Sequence, residues 1–513
     1  MRASALVIQG MLLATGIAFA LWTARLWSYT VDDAYITFRY AENLVRGWGL
    51  TFNHAPPRAE GYTSVLWTLL MAIPHALRLD VVLFSKLGGL ALMLGAAVVI
   101  ARGILARPGA GSPASRRIAA AFAVALFLGF ASAAVHAVSG METALAAFLY
   151  ATTAAFYLDA QDGRPSWRLP LSCLLLGLTR PEANLFSVLL LALLIPGLPT
   201  ARRRGFAAAC LAAYVVPGIL YFSWRYRYYG MLLPLPFYAK SATFDLSGLA
   251  PTLSFLKNLV VGFAFPIAAL ARSPARRRTW ILLPLACMLA YFTTTDHIMG
   301  YGHRYFFPLV PVFAILAGLG LSTRIESGIG RTGRLGFVTC LVLASTLGFL
   351  KTREVQRDYL AYARGMRTAH EVLGHGLAVP EWSVPPVIAL GDAGAIPYYS
   401  ELPTIDSFGL NDPVLARSAP GVRANEVLSR APDVVVLISR HEQRFESPLP
   451  YEDGLWRACL ARGYSRHVTL VFGPEYFLWV LWSPFSVEAP RLETVLAEAS
   501  RRSHELDRTL PRP

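Results

Sequence analysis

Apolar stretches of membrane-spanning length alternate with short polar hinges along the first two thirds of the chain. In order they are Leu6–Trp27, Val82–Ala101, Ile118–Val138, Met141–Leu158, Leu169–Leu178, Ala183–Leu198, Phe206–Phe222, Leu253–Ala271, Trp280–Phe292, Phe306–Leu321 and Leu335–Leu350. A hydrocarbon core about 30 Å thick takes roughly 20 helical residues, and a helix satisfies its own backbone groups where water is absent. The pattern predicts a polytopic α-helical membrane protein with about eleven transmembrane helices. Pro181, in Thr179-Arg180-Pro181-Glu182, stops one short run and starts the next. The stretches on either side therefore read as a broken hairpin or as two crossings.

The hinges set the orientation. Arginines gather at Arg102/Arg107/Arg116/Arg117, Arg202-Arg203-Arg204, Arg272/Arg276-Arg277-Arg278 and Arg324/Arg331/Arg334, which is the positive-inside pattern. Counting Thr63–Leu77 as a crossing would reverse every later hinge. It is expected instead as an interfacial or re-entrant helix, held at the surface by Trp67 and His75. The N-terminus and the arginine hinges then face the cytoplasm. The segments around Asp32, Met141, Arg180, Tyr229–Lys240 and Asp296–Arg304 face outward. Met1–Trp27 reads as a retained first helix, because its apolar run is long for a signal peptide and no small-residue cleavage site follows it.

After Leu350 the pattern becomes that of a soluble unit. Strand-like Pro386–Leu390, helix-like Ala393–Ser400, strand-like Asp433–Ile438 and aromatic Phe477–Trp482 predict a small extracytoplasmic α/β domain. The expected division is a transmembrane domain over 1–350 with an outer loop at 28–81, the α/β domain over 351–490, and a charged tail over 491–513, helical or loose.

Composition narrows the function. A net charge of +15 would suggest nucleic acid in a soluble protein, but here the hinges use those charges for topology, so no nucleic-acid partner is expected. Cys173, Cys210, Cys287 and Cys340 fall in apolar runs and Cys459 in the polar part, which gives no disulfide framework. No Cys/His metal spacing, P-loop or nucleophile elbow is present. Gly391-Asp392-Ala393-Gly394 follows a strand but lacks the glycine spacing of a nucleotide fingerprint. A lipid-sugar transporter or flippase would carry internal symmetry and midplane polar groups on several helices; the sequence has neither.

Candidate chemistry starts at Asp32-Asp33, directly after the first apolar run. On a helix from Asp33 to Val45, Asp32, Ile36, Arg39 and Asn43 share a stripe, with Asp33 and Tyr40 beside it. The pair can equally serve as N-cap and first-turn charge of that helix. Gly47–Asn53 and Arg58–Ser64, with Glu60 and Tyr62, form a Gly- and aromatic-rich loop that can stack on a sugar or simply turn the chain. Further polar groups sit at membrane level in Ser139-Gly140-Met141-Glu142-Thr143, around Arg180 and Glu182, near Lys240, and in His303-Arg304-Tyr305. Such groups are costly there and face a cavity or a partner. Arg180 and Glu182 can pair with each other. The cations Lys240, His303 and Arg304 suit a phosphate, or snorkel to the interface.

Asp32-Asp33-Ala-Tyr-Ile-Thr-Phe-Arg39-Tyr40-Ala-Glu-Asn43-Leu, Gly47-Trp-Gly-Leu-Thr-Phe-Asn53 and Glu60-Gly-Tyr62-Thr-Ser-Val-Leu-Trp67 together resemble the signature of GT-C membrane glycosyltransferases. The likeness is greatest to the terminal β-(1→2)-arabinofuranosyltransferases of mycobacterial cell-wall synthesis and their bacterial relatives. Ser139–Thr143, Thr179–Glu182, Gly391–Tyr399 and Thr404–Asp412 are similar to that group as well. The resemblance implies a multi-pass protein of the bacterial inner membrane with a polyprenyl-monophosphate sugar donor, arabinofuranose first, and an outer-face glycan or glycoprotein as acceptor. Mannose or aminoarabinose transferred to protein or lipid are the alternatives. By the same analogy Asp32 is the catalytic carboxylate with Asp33 beside it, and Arg180, Lys240 and Arg304 bind the lipid phosphate. No cofactor is implied, and a divalent cation stays open. So does the stereochemistry: a carboxylate acts as base in an inverting reaction and as nucleophile in a retaining one.

Overall fold

The computed structural model describes residues 2–107, 111–240, 246–271, 276–326, 356–379, 382–464 and 466–512. The expected run Leu335–Leu350 and the hinge residues Arg272, Arg331 and Arg334 lie outside the described residues. Helices dominate. Among the described residues, three are long and apolar enough to cross a membrane: Val81–Leu105, Thr200–Tyr229 and Tyr301–Glu326. Shorter apolar helices are Val65–Ala76, Arg168–Thr179, Ala183–Gly197 and Arg278–Thr293. The first of these covers the Thr63–Leu77 stretch and carries Pro74 inside it.

Helices α1 (Arg2–Arg25), α2 (Asp32–Val45), α3 (Val81–Leu105) and α4 (Thr143–Gln161) fix the two ends of the bundle. Near the start of α3, Lys86 Nζ donates to the carbonyls of Trp27 and Tyr29, just past α1. A buried ammonium thereby meets carbonyls at a helix C-terminus, where the dipole favours it. The other end of α3 is about 28 Å from Lys86. There Arg107 pairs with Asp159 at 2.7 Å and Asp162 at 3.3 Å, Asp162 takes Arg278 at 3.3 Å, and Ser112 N donates to Glu326 at 2.9 Å. Arginines of separate hinges thus gather at one end of the bundle, opposite the acids of α2.

The helix α5 (Thr200–Tyr229) lies toward the surface of the bundle, whereas α6 (Val310–Glu326) is its axis. Every residue from Val310 to Ser322 is buried, as a helix apolar on all sides requires. Gly320 permits a close approach of backbones: a Cβ there would lie 1.8 Å from the Pro266 carbonyl oxygen. The break at Arg180-Pro181 is as the sequence demands. The helix Arg168–Thr179 stops, and Arg180 is extended with φ −141° and ψ 113°, the geometry imposed before proline.

From residue 356 the chain forms helix α7 (356–377) and then an α/β unit. Its sheet contains β1 (Ile388–Leu390), β2 (Thr404–Asp406), β3 (Val434–Ser439), β4 (Arg466–Gly473) and β5 (Tyr476–Trp482), in the order β2-β1-β3-β5-β4. Strands β1, β2 and β3 are parallel, while β5 is antiparallel to β3 and β4. Val435 and Leu437 face the helix Pro450–Ala461, and Val434 and Val436 face the main core. Covered on both faces, β3 reads as a continuous apolar run rather than an alternating one.

Helix α8 (Ala395–Ser400) follows β1, and α9 (Ala489–Thr509) closes the described chain. The stretch after Pro490, expected as helix or loose tail, is this helix. Leu492, Leu496, Ala499 and Ser503 are buried at the spacing of one helical stripe. Ser503 Oγ accepts from Val471 N at 2.9 Å, Ser500 Oγ donates to Thr469 O at 2.7 Å, and Thr368 Oγ1 donates to Val471 O at 2.6 Å. The open edge of β4 is therefore hydrogen-bonded and covered, which protects it from pairing with another strand. Strands β2 and β4 had no signal of their own in the sequence, the first being three residues long and the second mixed in polarity.

Candidate active site

Most of helix α2 is buried between the bundle and the α/β unit, including the polar Asp32, Thr37, Arg39 and Asn43. Its Asp32 and Arg39, seven residues and about 10 Å apart, hold the two ends of α8. Asp32 Oδ2 accepts from Gly394 N at 3.0 Å and Oδ1 from Ala395 N at 2.8 Å. Arg39 donates to Leu402 O at 2.8 Å and to Pro397 O at the other end, and its Nε donates to Phe52 O at 2.8 Å. An acid at the N-terminus and a base at the C-terminus match the dipole of a short helix. Asp32 therefore caps a helix, but not its own: Val31 is the N-cap of α2 and makes no side-chain bond. The Gly391–Gly394 turn presents its amides to this carboxylate, and a Cβ on Gly394 would fall 2.1 Å from the Asp32 carbonyl oxygen.

Asp32 has a further partner that no local pattern announces. Within α7, residues Met366–His370 form a π turn. Such a turn inserts one residue into the helical repeat and re-aims the side chains around it. His370 Nδ1 comes to 3.1 Å from Asp32 Oδ1, and its Nε2 to 3.4 Å from Asp392 Oδ2. Tyr476 donates to the same Asp392 oxygen, and Tyr362 Oη accepts from Asp32 N at 3.0 Å. Burial pulls the imidazole pKa down, but the hydrogen bonds and charges of the two aspartates outweigh it and raise it to about 10. For Asp32, burial pushes upward and His370 downward, leaving it raised; Asp392 is lowered, as His370 and Tyr476 overcome its burial. His370 is thus held in its protonated form between Asp32 and Asp392.

Asp33 points elsewhere. Its Oδ2 lies 3.3 Å from Arg304 Nη1, Arg304 Nη2 is 3.5 Å from Glu142 Oε1, and Arg180 Nη2 is 2.9 Å from the same Glu142 oxygen. Glu182 completes the chain at 3.5 Å from Arg180 Nη1, and Thr143 Oγ1 lies 3.4 Å from Arg180 Nη2. Tyr305 lies beside both guanidiniums, 5.9 Å from each, and Tyr301 is 5.8 Å from that of Arg304. The side chains of Arg180, Arg304 and Glu142 are less than 10% exposed, whereas Asp33 is 17% exposed. Both arginines keep a buried Nε without a hydrogen-bond partner, so each fork retains a donor for an incoming oxygen. Five ionisable groups from four separate segments meet here.

The remaining expected site residues lie apart from this chain. Tyr40 Oη donates to Ala59 O and accepts from Gly61 N, both at 2.9 Å, while Asn43 Nδ2 donates to Thr51 O at 2.8 Å. With Arg39 they anchor the 47–62 loop. Glu60 makes a buried ion pair with Arg225 at 2.7 Å. Burial raises the Glu60 carboxyl to about 7 against the pull of Arg225. Tyr62 Oη is 3.0 Å from Tyr229 Oη, and His303 Nε2 is 3.2 Å from Asn258 Nδ2. Lys240 ends the helix Leu235–Lys240; its side chain lies outside the described residues. Among the described residues, no three His, Cys, Asp or Glu side chains converge as metal ligands.

The two acids of the opening motif are thus divided. Asp32 is committed to the α/β unit, and Asp33 faces two arginines at the end of the bundle. A carboxylate beside paired guanidiniums can take a proton from a hydroxyl while the cations stabilise a departing anion. Tyr362, His370 and Tyr476 complete the surroundings of Asp32 and drew no attention in the sequence, because each lies in an ordinary-looking helix or strand.

Comparison with known proteins gives a fold and little else. A family model described as a domain of unknown function (DUF8728) matches residues 360–485. No curated protein matches the chain. The crystal structure of ArnT from Cupriavidus metallidurans bound to undecaprenyl phosphate is similar with a TM-score of 0.55 and 15% identity, covering 93% of this chain and 97% of its own. The apo structure of the same protein gives 0.53 and 16%, with coverages of 94% and 98%. The chain shares this membrane-protein fold over most of its length.

Proposed function

We propose that the protein is a polyprenyl-phosphate-dependent glycosyltransferase of GT-C type. It passes a sugar, arabinofuranose first, to a hydroxyl of a cell-envelope glycan or glycoprotein at the outer membrane face. The observation that carries this reading is the Asp33–Arg304–Glu142–Arg180 chain, an acid and two buried guanidiniums at the end of the bundle that bears the α/β unit. The shared fold with ArnT, one structure of which holds undecaprenyl phosphate, supports a donor of that lipid class. The opening motif supports the sugar. In this reading residues 1–350 form the catalytic bundle with its outer loop at 28–81, residues from 351 to 490 roof it, and the arginine hinges are cytoplasmic.

The reaction follows from the charges. The acceptor oxygen attacks the anomeric carbon, the bond from that carbon to the phosphate oxygen breaks, and its electron pair leaves with the phosphate. Asp33 takes the acceptor's proton. Arg180 and Arg304, desolvated and fixed, stabilise the charge that grows on the leaving phosphate. Resemblance to the family assigns the reacting carboxylate to Asp32. We give the role to Asp33, because the Asp32 oxygens are already taken by His370, Gly394 and Ala395. Asp32 then positions its neighbour.

Purified protein should release polyprenyl phosphate from a synthetic polyprenyl-phosphate arabinofuranose donor when given envelope glycan. Cells lacking the gene should lose arabinofuranose termini in mass analysis of surface glycans. Loss of mannose or aminoarabinose instead would keep the reaction and change the sugar. Failure to bind or cleave any polyprenyl-phosphate sugar would overturn the proposal.

A further inference from the structure

A second built site lies away from the arginines. A cavity of about 370 Å³ opens between the 46–57 loop and the rim of the sheet. Its walls hold three arginines, Arg39, Arg46 and Arg430, against three acids, Glu42, Glu401 and Asp412. They are paired. Arg46 meets Glu401 at 2.6 and 2.8 Å and Glu42 at 2.7 Å, and Arg430 meets Asp412. The lining is therefore rich in planar donors and acceptors yet carries no net charge, so it offers hydrogen bonds without preferring an anion or a cation.

The cleft is preformed. Asn53 at its base donates to Thr404 O at 2.7 Å and accepts from Thr404 N at 3.0 Å, which ties the loop to β2. At the mouth stands Trp48, 41% exposed, with the His54 ring edge-on at 4.5 Å. Gly47 and Gly49 on either side have φ of +83° and +84°, a left-handed backbone that favours glycine. The loop spends two such residues on holding one indole outward.

We infer that this cleft binds neutral oligosaccharide. The indole, with the Arg46 guanidinium over its ring at 5.4 Å, offers its remaining face to a sugar ring, and the paired ions supply hydrogen bonds for its hydroxyls. That the saccharide is the acceptor rests on the function proposed above; the saccharide itself rests on the cleft alone. Asp33 and Arg46 are thirteen residues apart along α2, about 20 Å. An acceptor that touches both is a chain of several sugars.

The test uses the full chain in detergent and the oligosaccharides that mild acid releases from the envelope of the producing cells, split by anion exchange into neutral and charged fractions. Calorimetry should show binding of the neutral fraction, weakened about tenfold or more by Trp48→Ala and kept by Trp48→Phe. Undecaprenyl phosphate binding should be unchanged in both. Should Trp48→Ala fail to fold, His54→Ala at the same mouth takes its place. Binding of the charged fraction alone, no binding of either fraction, or equal binding by the variants would overturn the inference. Loss of undecaprenyl phosphate binding in the parent chain, with oligosaccharide binding intact, would sink the donor reading and leave the cleft standing.

Discussion

His370 Nδ1 lies 3.1 Å from Asp32 Oδ1 across 338 residues of sequence. The contact fixes the α/β unit to the bundle at the residue next to the proposed reacting carboxylate. A motion of one unit against the other is therefore felt at Asp33, since the two aspartates share a backbone.

Asp33→Asn should abolish sugar transfer while leaving the melting temperature in detergent within a few degrees of the parent. Its side chain is partly exposed and makes one long ion pair, so little stability is lost with it. Turnover near the parent level would remove Asp33 from the reaction.

Asp32→Asn should behave differently. Sequence alone suggests an exposed carboxylate whose loss leaves folding intact, but Asp32 is buried and accepts from two backbone amides and His370. An amide can accept through one oxygen only and turns its own donors toward donors, at a cost of about 1–3 kcal/mol. Denaturation should register the loss. A melting curve that overlays the parent's would contradict this geometry.

Arg180→Ala and Arg304→Ala should each weaken undecaprenyl phosphate binding by about tenfold to a hundredfold, the range of a charge-assisted hydrogen bond. Arg180→Lys should recover only part of the loss, because an ammonium cannot hold Glu142 and a phosphate oxygen in one planar fork. Equal affinity in all three would place the lipid phosphate elsewhere.

Stability should fall on the alkaline side. The His370 pKa rises from an ordinary value near 6.5 to about 10 in the folded chain, so the folded state holds its proton more tightly. That contribution is complete below about pH 6.5 and is lost as pH rises through about 10. Melting temperatures from pH 6 to 10.5 should decline more steeply for the parent than for His370→Gln. Parallel profiles would deny the imidazolium.

Arg225→Met should cost more at pH 8.5 than at pH 5. It strands Glu60, whose carboxyl titrates at about 7 even beside Arg225. At low pH the acid is neutral in both proteins; above about pH 7 the parent gains an ion pair that the variant cannot form, so the penalty grows by about 2 kcal/mol by pH 8.5. A penalty independent of pH would show that water reaches Glu60.

The membrane-protein fold was legible in the sequence, since run length and hinge charge are local features. The meeting of Asp33, Glu142, Arg180 and Arg304 was legible only as polar groups expected at one membrane depth. Arg39, Tyr40 and Asn43 read as substrate-facing; their polar atoms hold backbone carbonyls, and Arg39 and Asn43 also line the cleft. Helical spacing gives the face of a residue but not its cover, and here the cover includes residues 394–411, more than three hundred positions on. For the same reason His370 was silent: its partners are remote, and a π turn leaves no trace in hydrophobic period.

The clamp of Asp32 and Arg39 on α8 has a consequence for biosynthesis. The clamp residues leave the ribosome about 360 residues before the helix they hold, a delay of roughly 20–70 s at ordinary elongation rates. During that time Asp32 has none of its native side-chain partners and Arg39 has, of its carbonyl partners, only Phe52 O, so this face of α2 waits for its cover. The site is therefore assembled last, and a chain that stops short of Gly394 would display its ionised motif to quality control.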